Sequence, residues 1–361
     1  MSNKKKIKLG LIFGGQSKEH EVSLSSARSV FNHLDSAKYE ITPIAITKKG
    51  SWLIGSKAKK YLELQSGGAK EEAISEKKSQ SLVALGDTST SLSRLIGNQA
   101  GVSSLDIVLP LIHGSFGEDG KLQGLLEMFG VPYVFSGVLP SALSIDKSKS
   151  KLVARQAGLN VLPEIILNKN QPYNRNIITK KLSYPLVVKP VDLGSSVGIS
   201  IVHNSQKLEQ GIKQAFLFTD KVMLEQFKAG RELTAAVMGN DPAEALPIIE
   251  IIPRSSSFYD YKAKYAVGGS DHRCPADIPS NIRKKVQSQS LALFKALECR
   301  DLARIDFIYS EKDNDIYFLE INTIPGMTVT SLVPEAAKEA GLDFSDFLNR
   351  LITTALKRYD D

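Results

Sequence analysis

At 361 residues the chain has room for two or three domains and a well-buried core, so one small compact domain is excluded. Apolar residues make up 42% and charged residues 24%, and no apolar run approaches the length that crosses a bilayer, which predicts a soluble globular protein. The formal charge of +7 admits a nucleic-acid partner, but the lysines are dispersed and lack interleaved aromatics, so a solvated basic surface with some lysines serving anionic ligands is the better reading.

The elements follow in chain order. The opening "MSNKKKIKLGLIFGG" is basic, but its apolar part is short and ends in glycines without a small-residue cleavage site; it reads as a first β-strand, not a signal peptide. A helix is predicted over residues 23–34, and "YEITPIAIT" is a second strand, so the chain opens as alternating β and α with a parallel sheet. Residues 56–104 are rich in Lys, Ser, Gly and Glu with little apolar period, and read as an elaborated surface region. "LDIVLPLIHG" restores the strand pattern, "KLQGLLEMFG" is a helix closed by glycine, and "VPYVFSG" is another short strand. This ends a first domain at residues 1–140.

"PSALSIDKSKSKLVARQAG" is a helical stretch leading into strands "YPLVVKP", "GISIVHN" and "KVMLEQF", with a helix near 205–217, a small α+β unit at residues 141–230. From "RELTAAVMG" onward come long strands ("ALPIIEIIP", "ARIDFIYS", "DIYFLEINT"), an irregular aromatic loop at 254–275, and helices at 279–299, 333–340 and 343–357. That is a third domain, residues 231–361. Two cysteines, Cys274 and Cys299, build neither a disulfide framework nor a zinc site, which favours a reducing cytoplasm.

Within the second unit, "VVKPVDLGSSVGIS" (187–200) runs a strand ending at Lys189 into a small-residue loop. Bare backbone N–H groups beside a fixed positive charge suit phosphate oxygens, although the spacing is not that of a P-loop and a plain turn is the alternative. On the last two strands, residues two apart face the same side, which sets Arg304 beside Asp306 and Glu320 beside Asn322. Magnesium takes hard oxygen ligands and bridges carboxylates to phosphates, so Asp306, Glu320 and Asn322 form a candidate metal platform; a structural ion-pair network is the alternative. "IPGMTVTSL" offers backbone and hydroxyl donors to an oxyanion or carboxylate, or is a plain loop before a helix. Glu21 in "FGGQSKEHEVS" either helps a helix N-terminus or binds an amine. "HGSFGEDG", carrying His113, follows a strand where ligands of α/β sheets bind.

Six strings in one order, "FGGQSKEHEVS", "LIHGSFGEDGKLQG", "SIDKSKSK", "VVKPVDLGSSVGIS", "FYDYKAKY" and "EINTIPGMTVTSLVPEAA", resemble the D-alanine–D-alanine ligases, ATP-grasp enzymes of peptidoglycan precursor synthesis, over essentially the whole chain. Each string alone is weakly specific; the shared order carries the likeness. The resemblance implies α/β and α+β architecture in a three-domain ATP-grasp fold: an N-terminal parallel α/β domain, then two domains clasping ATP. It implies ATP-phosphate contacts for Lys147 and Lys189, adenine and ribose contacts for Glu225 and Glu232, and a loop with Ser195 and Ser196 that covers the phosphates. Asp306, Glu320 and Asn322 match ligands of magnesium or manganese, two ions being implied, and Arg304 with the Gly326 backbone matches groups that hold a tetrahedral intermediate. Glu21 matches the carboxylate on the first substrate's ammonium, with Ser195 and Tyr265 as partners; Tyr259, Lys264, Ser331 and Leu332 match positions around the substrates, and His113 a histidine close to them. Asp192 and Leu193 depart from relatives that carry charged residues there.

The activity implied is ATP-dependent joining of two D-alanines through D-alanyl phosphate, in a cytoplasmic homodimer with no membrane or nucleic-acid partner. A D-alanine–D-lactate ligase is the nearest alternative, against which Tyr265 speaks. A non-catalytic nucleotide-binding regulator would have lost a metal ligand or a phosphate lysine, and none is missing.

Overall fold

The computed structural model describes residues 5–64, 105–194, 197–254 and 269–359. The predicted site residues Ser195, Ser196, Tyr259, Lys264 and Tyr265 lie outside the described residues, as do most of 56–104 and of 254–275.

Among the described residues the chain forms three sheets. In the first, β1 (Ile7–Gly14) lies between β2 (Tyr39–Ile46) and β4 (Ile107–Pro110), parallel to both, with β3 (Trp52–Ile54) antiparallel on the outer edge of β2. The near-continuous apolar run of β1 reflects burial on both faces. Leu9, Leu11 and Phe13 pack with Leu24, Ala27 and Val30 of α1 (His20–His33), while Ile12 packs the other way with Leu122 and Leu126 of α3 (Lys121–Met128). Gly14 ends the strand at φ 92°, where a Cβ would stand 2.1 Å from the Ile46 carbonyl oxygen, so only glycine fits this close crossing.

The second sheet has the order β5 (Glu164–Asn168), β8 (Lys221–Gln226), β6 (Leu186–Pro190), β7 (Ser200–Val202), all antiparallel, covered by α6 (Arg175–Lys181) and α7 (Ser205–Ala215) through Ile178, Leu208 and Ile212. The third runs β12 (Ser270–Arg273), β11 (Ile249–Pro253), β9 (Arg231–Gly239), β13 (Leu302–Ser310), β14 (Asp315–Asn322), with β10 (Ala243–Ala245) beside β9. One face buries Leu233, Ala235, Ile305 and Phe307 against Ile282, Val286, Leu293 and Phe294 of α8 (Ser280–Ala296). The chain closes with α9 (Leu332–Glu339) and α10 (Phe344–Leu356).

Five element expectations are corrected. The loop expected over 254–275 ends in a strand, β12, because Ser270–Arg273 pair antiparallel with the exposed edge of β11. The first helix starts at His20, three residues earlier than its apolar period indicates, because Glu19 ends the turn that Gly14 and Gly15 make possible. "VPYVFSG" gives one bridge, Val108 to Tyr133, because Phe135 takes a left-handed φ of 79° and gives its N–H to the Asp301 carboxylate at 2.8 Å. "PSALSIDKSKSKLVARQAG" is two helices, α4 (Val138–Ile145) and α5 (Lys147–Gln156), because Asp146 leaves the helical region and caps the second through the N–H groups of Ser148 and Lys149. The first nine residues of 56–104 are not surface elaboration: they form α2 (Ser56–Leu64), which buries Ala58, Tyr61 and Leu62.

Candidate active site

The alternation expected of β13 and β14 places the four polar residues as cross-strand pairs: Arg304 is in register with Asn322, and Asp306 with Glu320. A register shift follows between Asp306 and Phe307, so Phe307 meets Phe318 and the apolar face resumes. The Arg304 guanidinium forks onto Asp306, Nε to Oδ1 at 3.0 Å and Nη2 to Oδ2 at 2.9 Å, the bidentate geometry that planar guanidinium provides. Thr234 Oγ1 donates to Asp306 Oδ1 from β9 at 2.5 Å. Lys147, the first residue of α5, sets its Nζ 3.1 Å from Glu320 Oε2 and donates to the Leu193 carbonyl at 2.7 Å. Cations therefore face both carboxylates.

Beyond β14 the chain turns where Asn322 Oδ1 accepts the Ile324 N–H at 2.9 Å. The loop at 323–331 docks on α1: Ser26 Oγ accepts the Met327 N–H and Ser29 Oγ accepts that of Val329, both at 3.2 Å. Ser331 Oγ lies 2.7 Å from Thr328 Oγ1 and against Gly326. His113 meets the same loop from the end of β4. Its Nδ1 is 3.0 Å from the Ile324 carbonyl, its Nε2 is 3.1 Å from Ser26 Oγ, and Glu118 stands 3.9 Å away. Burial by itself would lower the His113 pKa, but the Glu118 and Glu19 carboxylates reverse this and raise it. Burial also raises the Glu118 pKa, against the pull of His113.

These groups share one cleft of about 470 Å³, whose walls include Glu19, Glu21, His113, Lys147, Arg304, Asp306, Glu320, Asn322, Gly326, Ser331 and Leu332. Ten of the sequence-predicted residues thus meet in one place. Lys189, Glu225 and Glu232 are not part of its wall. Lys189 Nζ donates to Glu225 Oε2 at 2.7 Å, and Lys151 binds the other oxygen of the same buried carboxylate. Burial would raise the Glu225 pKa, yet the two ammonium groups hold it below the usual carboxylate range. Burial lowers the Lys151 pKa against the pull of Glu225. Glu232 is half-buried on β9, in register with Ile308 and Ile251.

Glu21 reaches only the rim. Its side chain is 58% exposed and takes the Lys48 ammonium at 2.7 Å. Glu19 is the carboxylate that sequence reading missed: a Cβ on Gly194 would lie 3.0 Å from Glu19 Oε2, and one on Gly114 2.6 Å, so two backbones close on it inside the cleft. A helix start read at His20 would have exposed it as the N-cap. His272 was missed too; it lines the cleft with Nδ1 2.8 Å from Glu335 Oε2. Among the described residues no group of three His, Cys, Asp or Glu side chains is gathered as a metal site. The oxygen set of Asp306, Glu320 and Asn322 remains chemically suited to a hard cation.

Two family profiles match the chain, one described as D-ala D-ala ligase N-terminus over residues 8–136 and one as D-ala D-ala ligase C-terminus over 153–353. The chain belongs to the D-alanine–D-alanine ligase family. A D-alanine–D-alanine ligase of Chloroherpeton thalassium is 40% identical over 370 residues, covering 99% of this chain and 98% of the relative. Among solved structures, a D-Ala:D-Ser ligase from Enterococcus faecalis superposes with TM-score 0.80 at 33% identity, over 97% of this chain and 100% of that one. A D-alanine–D-alanine ligase from Bacillus anthracis complexed with ATP gives TM-score 0.73 at 29% identity, over 98% of each chain. The protein is an ATP-dependent ligase with the ATP-grasp fold of this family. Among the described residues no helix is long and apolar enough to cross a membrane.

Proposed function

We propose that this ligase joins two molecules of D-alanine for peptidoglycan precursor synthesis, releasing ADP and phosphate, as a homodimer in the cytoplasm. The observation that carries the chemistry is the single polar face on which Arg304, Asp306, Glu320, Asn322 and Lys147 meet, opposite Glu19 and the loop at 323–331. A carboxylate is a poor acyl donor, so its oxygen must first be phosphorylated. In this reading Glu19, rather than the rim residue Glu21, holds the ammonium of the first D-alanine and turns its carboxylate toward the γ-phosphate. Lys147 and Lys189 neutralise phosphate oxygens as the carboxylate oxygen bonds to phosphorus and the bond to ADP breaks. Asp306, Glu320 and Asn322 would hold one or two magnesium or manganese ions, which when bound offset the charge crowded between nucleotide and carboxylates.

The second D-alanine enters as its free amine, with its carboxylate near Ser331 and Leu332. Nitrogen bonds to the acyl carbon, the carbon–oxygen bond to phosphate breaks, and the amine proton passes to the departing phosphate. Arg304 and the Gly326 N–H hold the intervening oxyanion. His113, fixed by Ser26 and the Ile324 carbonyl, lines the cleft beside the loop at 323–331. Glu225 and Glu232 face the nucleoside in this reading, and Lys264, Tyr259, Tyr265, Ser195 and Ser196 complete the substrate contacts.

The acceptor is where a second reading enters, because the Enterococcus relative is a D-Ala:D-Ser ligase. Purified protein given ATP and magnesium is supplied with D-alanine alone, L-alanine, D-alanine plus D-serine, and D-alanine plus D-lactate, with phosphate and product mass followed together. D-alanyl-D-alanine as the main product in every mixture containing D-alanine supports the proposal. A mixed dipeptide or depsipeptide as the main product reassigns the acceptor, and ATP binding without turnover makes the protein a regulator.

A further inference from the structure

The turn between β1 and α1 reaches out of its own sheet at two adjacent residues. Glu19 receives Gly194 at the start of the loop that follows β6. Lys18 goes elsewhere: its Nζ sits 3.8 Å above the ring centroid of Phe218, in the turn after α7. A lysine entering a helix stands at the unfavourable end of the helix dipole, so this placement needs an offsetting contact, which the ring face supplies. Phe218 is 41% exposed, too much for a simple core residue. One edge of the ring lies on Gly198, at the far stem of the same loop; a Cβ there would stand 2.9 Å from Phe218 Cδ2 and 3.1 Å from Pro190 Cγ. The residue after Phe218 also grips the loop, Thr219 Oγ1 donating to Asp192 Oδ1 at 2.6 Å.

Both described stems of the segment from Pro190 to Gly198 are thus held from one turn of the first sheet. Glu19 touches the near stem directly; Lys18 reaches the far stem through Phe218. Leu193, between them, gives its carbonyl to Lys147 in the cleft. The geometry points to Lys18 and Phe218 as positioning residues: a cation–π clasp that fixes the Gly198 stem and so sets the Leu193 carbonyl and Gly194 backbone against Lys147 and Glu19. The consequence for turnover rests on the ligase reading above. A loosened clasp lets the Leu193 carbonyl shift away from the Lys147 ammonium, which weakens the hold on ATP.

Two readouts test this on the intact protein: hydrogen exchange of peptides spanning 190–199 without substrates, and steady-state dipeptide formation with KM for ATP measured separately from kcat. Lys18 is exposed, so Lys18→Met leaves the fold intact. Lys18→Met and Phe218→Leu are each expected to speed exchange of that segment about two- to fivefold, the range such a contact supports. They should raise KM for ATP more than they lower kcat, while Lys18→Arg and Phe218→Tyr retain wild-type values. The double variant should be no worse than the worse single one. Unchanged exchange in Lys18→Met, or single effects that multiply in the double variant, would overturn the clasp. If the wild type makes no dipeptide, the function proposal fails while the exchange result still decides the clasp.

Discussion

His113 and Glu118 form the site's most buried titrating pair, and both hold protons more tightly in the folded chain than outside it. A group whose folded pKa is raised contributes stability below its unfolded value and loses it as pH rises through the folded one. For His113 the loss therefore begins above its ordinary 6.5. The melting temperature should fall as pH rises above 6.5 in the wild type, and fall less in His113→Gln, a comparison that scanning calorimetry makes directly. Carboxylate identity at the first turn is a second residue-scale matter. Glu19→Gln should lower kcat/KM for the first D-alanine at least about tenfold, as loss of a charge-assisted contact does, whereas Glu21→Gln should stay within about twofold. Steady-state kinetics with the two variants side by side decides between them, and equal losses would return Glu21 to the ammonium. The sequence displayed both carboxylates. It did not show which one the turn at Gly14 and Gly15 carries into the cleft.

At the scale of elements, strands were more legible than helix ends. The period of two in "ARIDFIYS" and "FLEINT" placed Arg304 with Asp306 and Glu320 with Asn322 before any pairing was known, because a pleated strand admits only two faces. The register that makes them cross-strand partners came from the sheet. Helix starts depend on one capping residue, and a single cap moves every following side chain. Asp146 shows the consequence: by breaking one helical stretch into α4 and α5 it makes Lys147 the first residue of α5, with Nζ between Glu320 and the Leu193 carbonyl. Asp146→Ala should cost about 0.5–2 kcal/mol in chemical denaturation and raise KM for ATP, while Asp146→Ser keeps most of both. Loss of stability without a change in KM would mean that the cap holds the helix but not the lysine.

Across the whole molecule, contacts between distant segments assemble the cleft. Ser26 of α1 joins His113 of the first sheet to the Met327 backbone of the last loop. Near the other end, the fully buried Asp301 carboxylate receives the Phe135 N–H at 2.8 Å, Asn240 Nδ2 at 3.0 Å and Arg358 Nη2 at 2.7 Å, tying three regions of the chain together. Removing the cation leaves that carboxylate uncompensated, so Arg358→Leu should lower unfolding free energy by about 3–5 kcal/mol in denaturant titration, with Asp301→Asn in the same background recovering part of it. An effect below about 1 kcal/mol would show that Asp301 is held by its N–H donors alone.

The sequence by itself determined the three strand-rich regions, the polar face on the last two strands and the ordered motifs that mark the family, because these follow from local period and from residue type. It named Lys189 and Glu225 separately; only the tertiary structure revealed that Lys151 shares the same buried carboxylate. That triad, the choice of Glu19 over Glu21 in the cleft, and the reach of Lys18 to Phe218 all depend on how separate sheets approach one another. Such approaches are decided by the packing of whole faces, and no local pattern of residues encodes them.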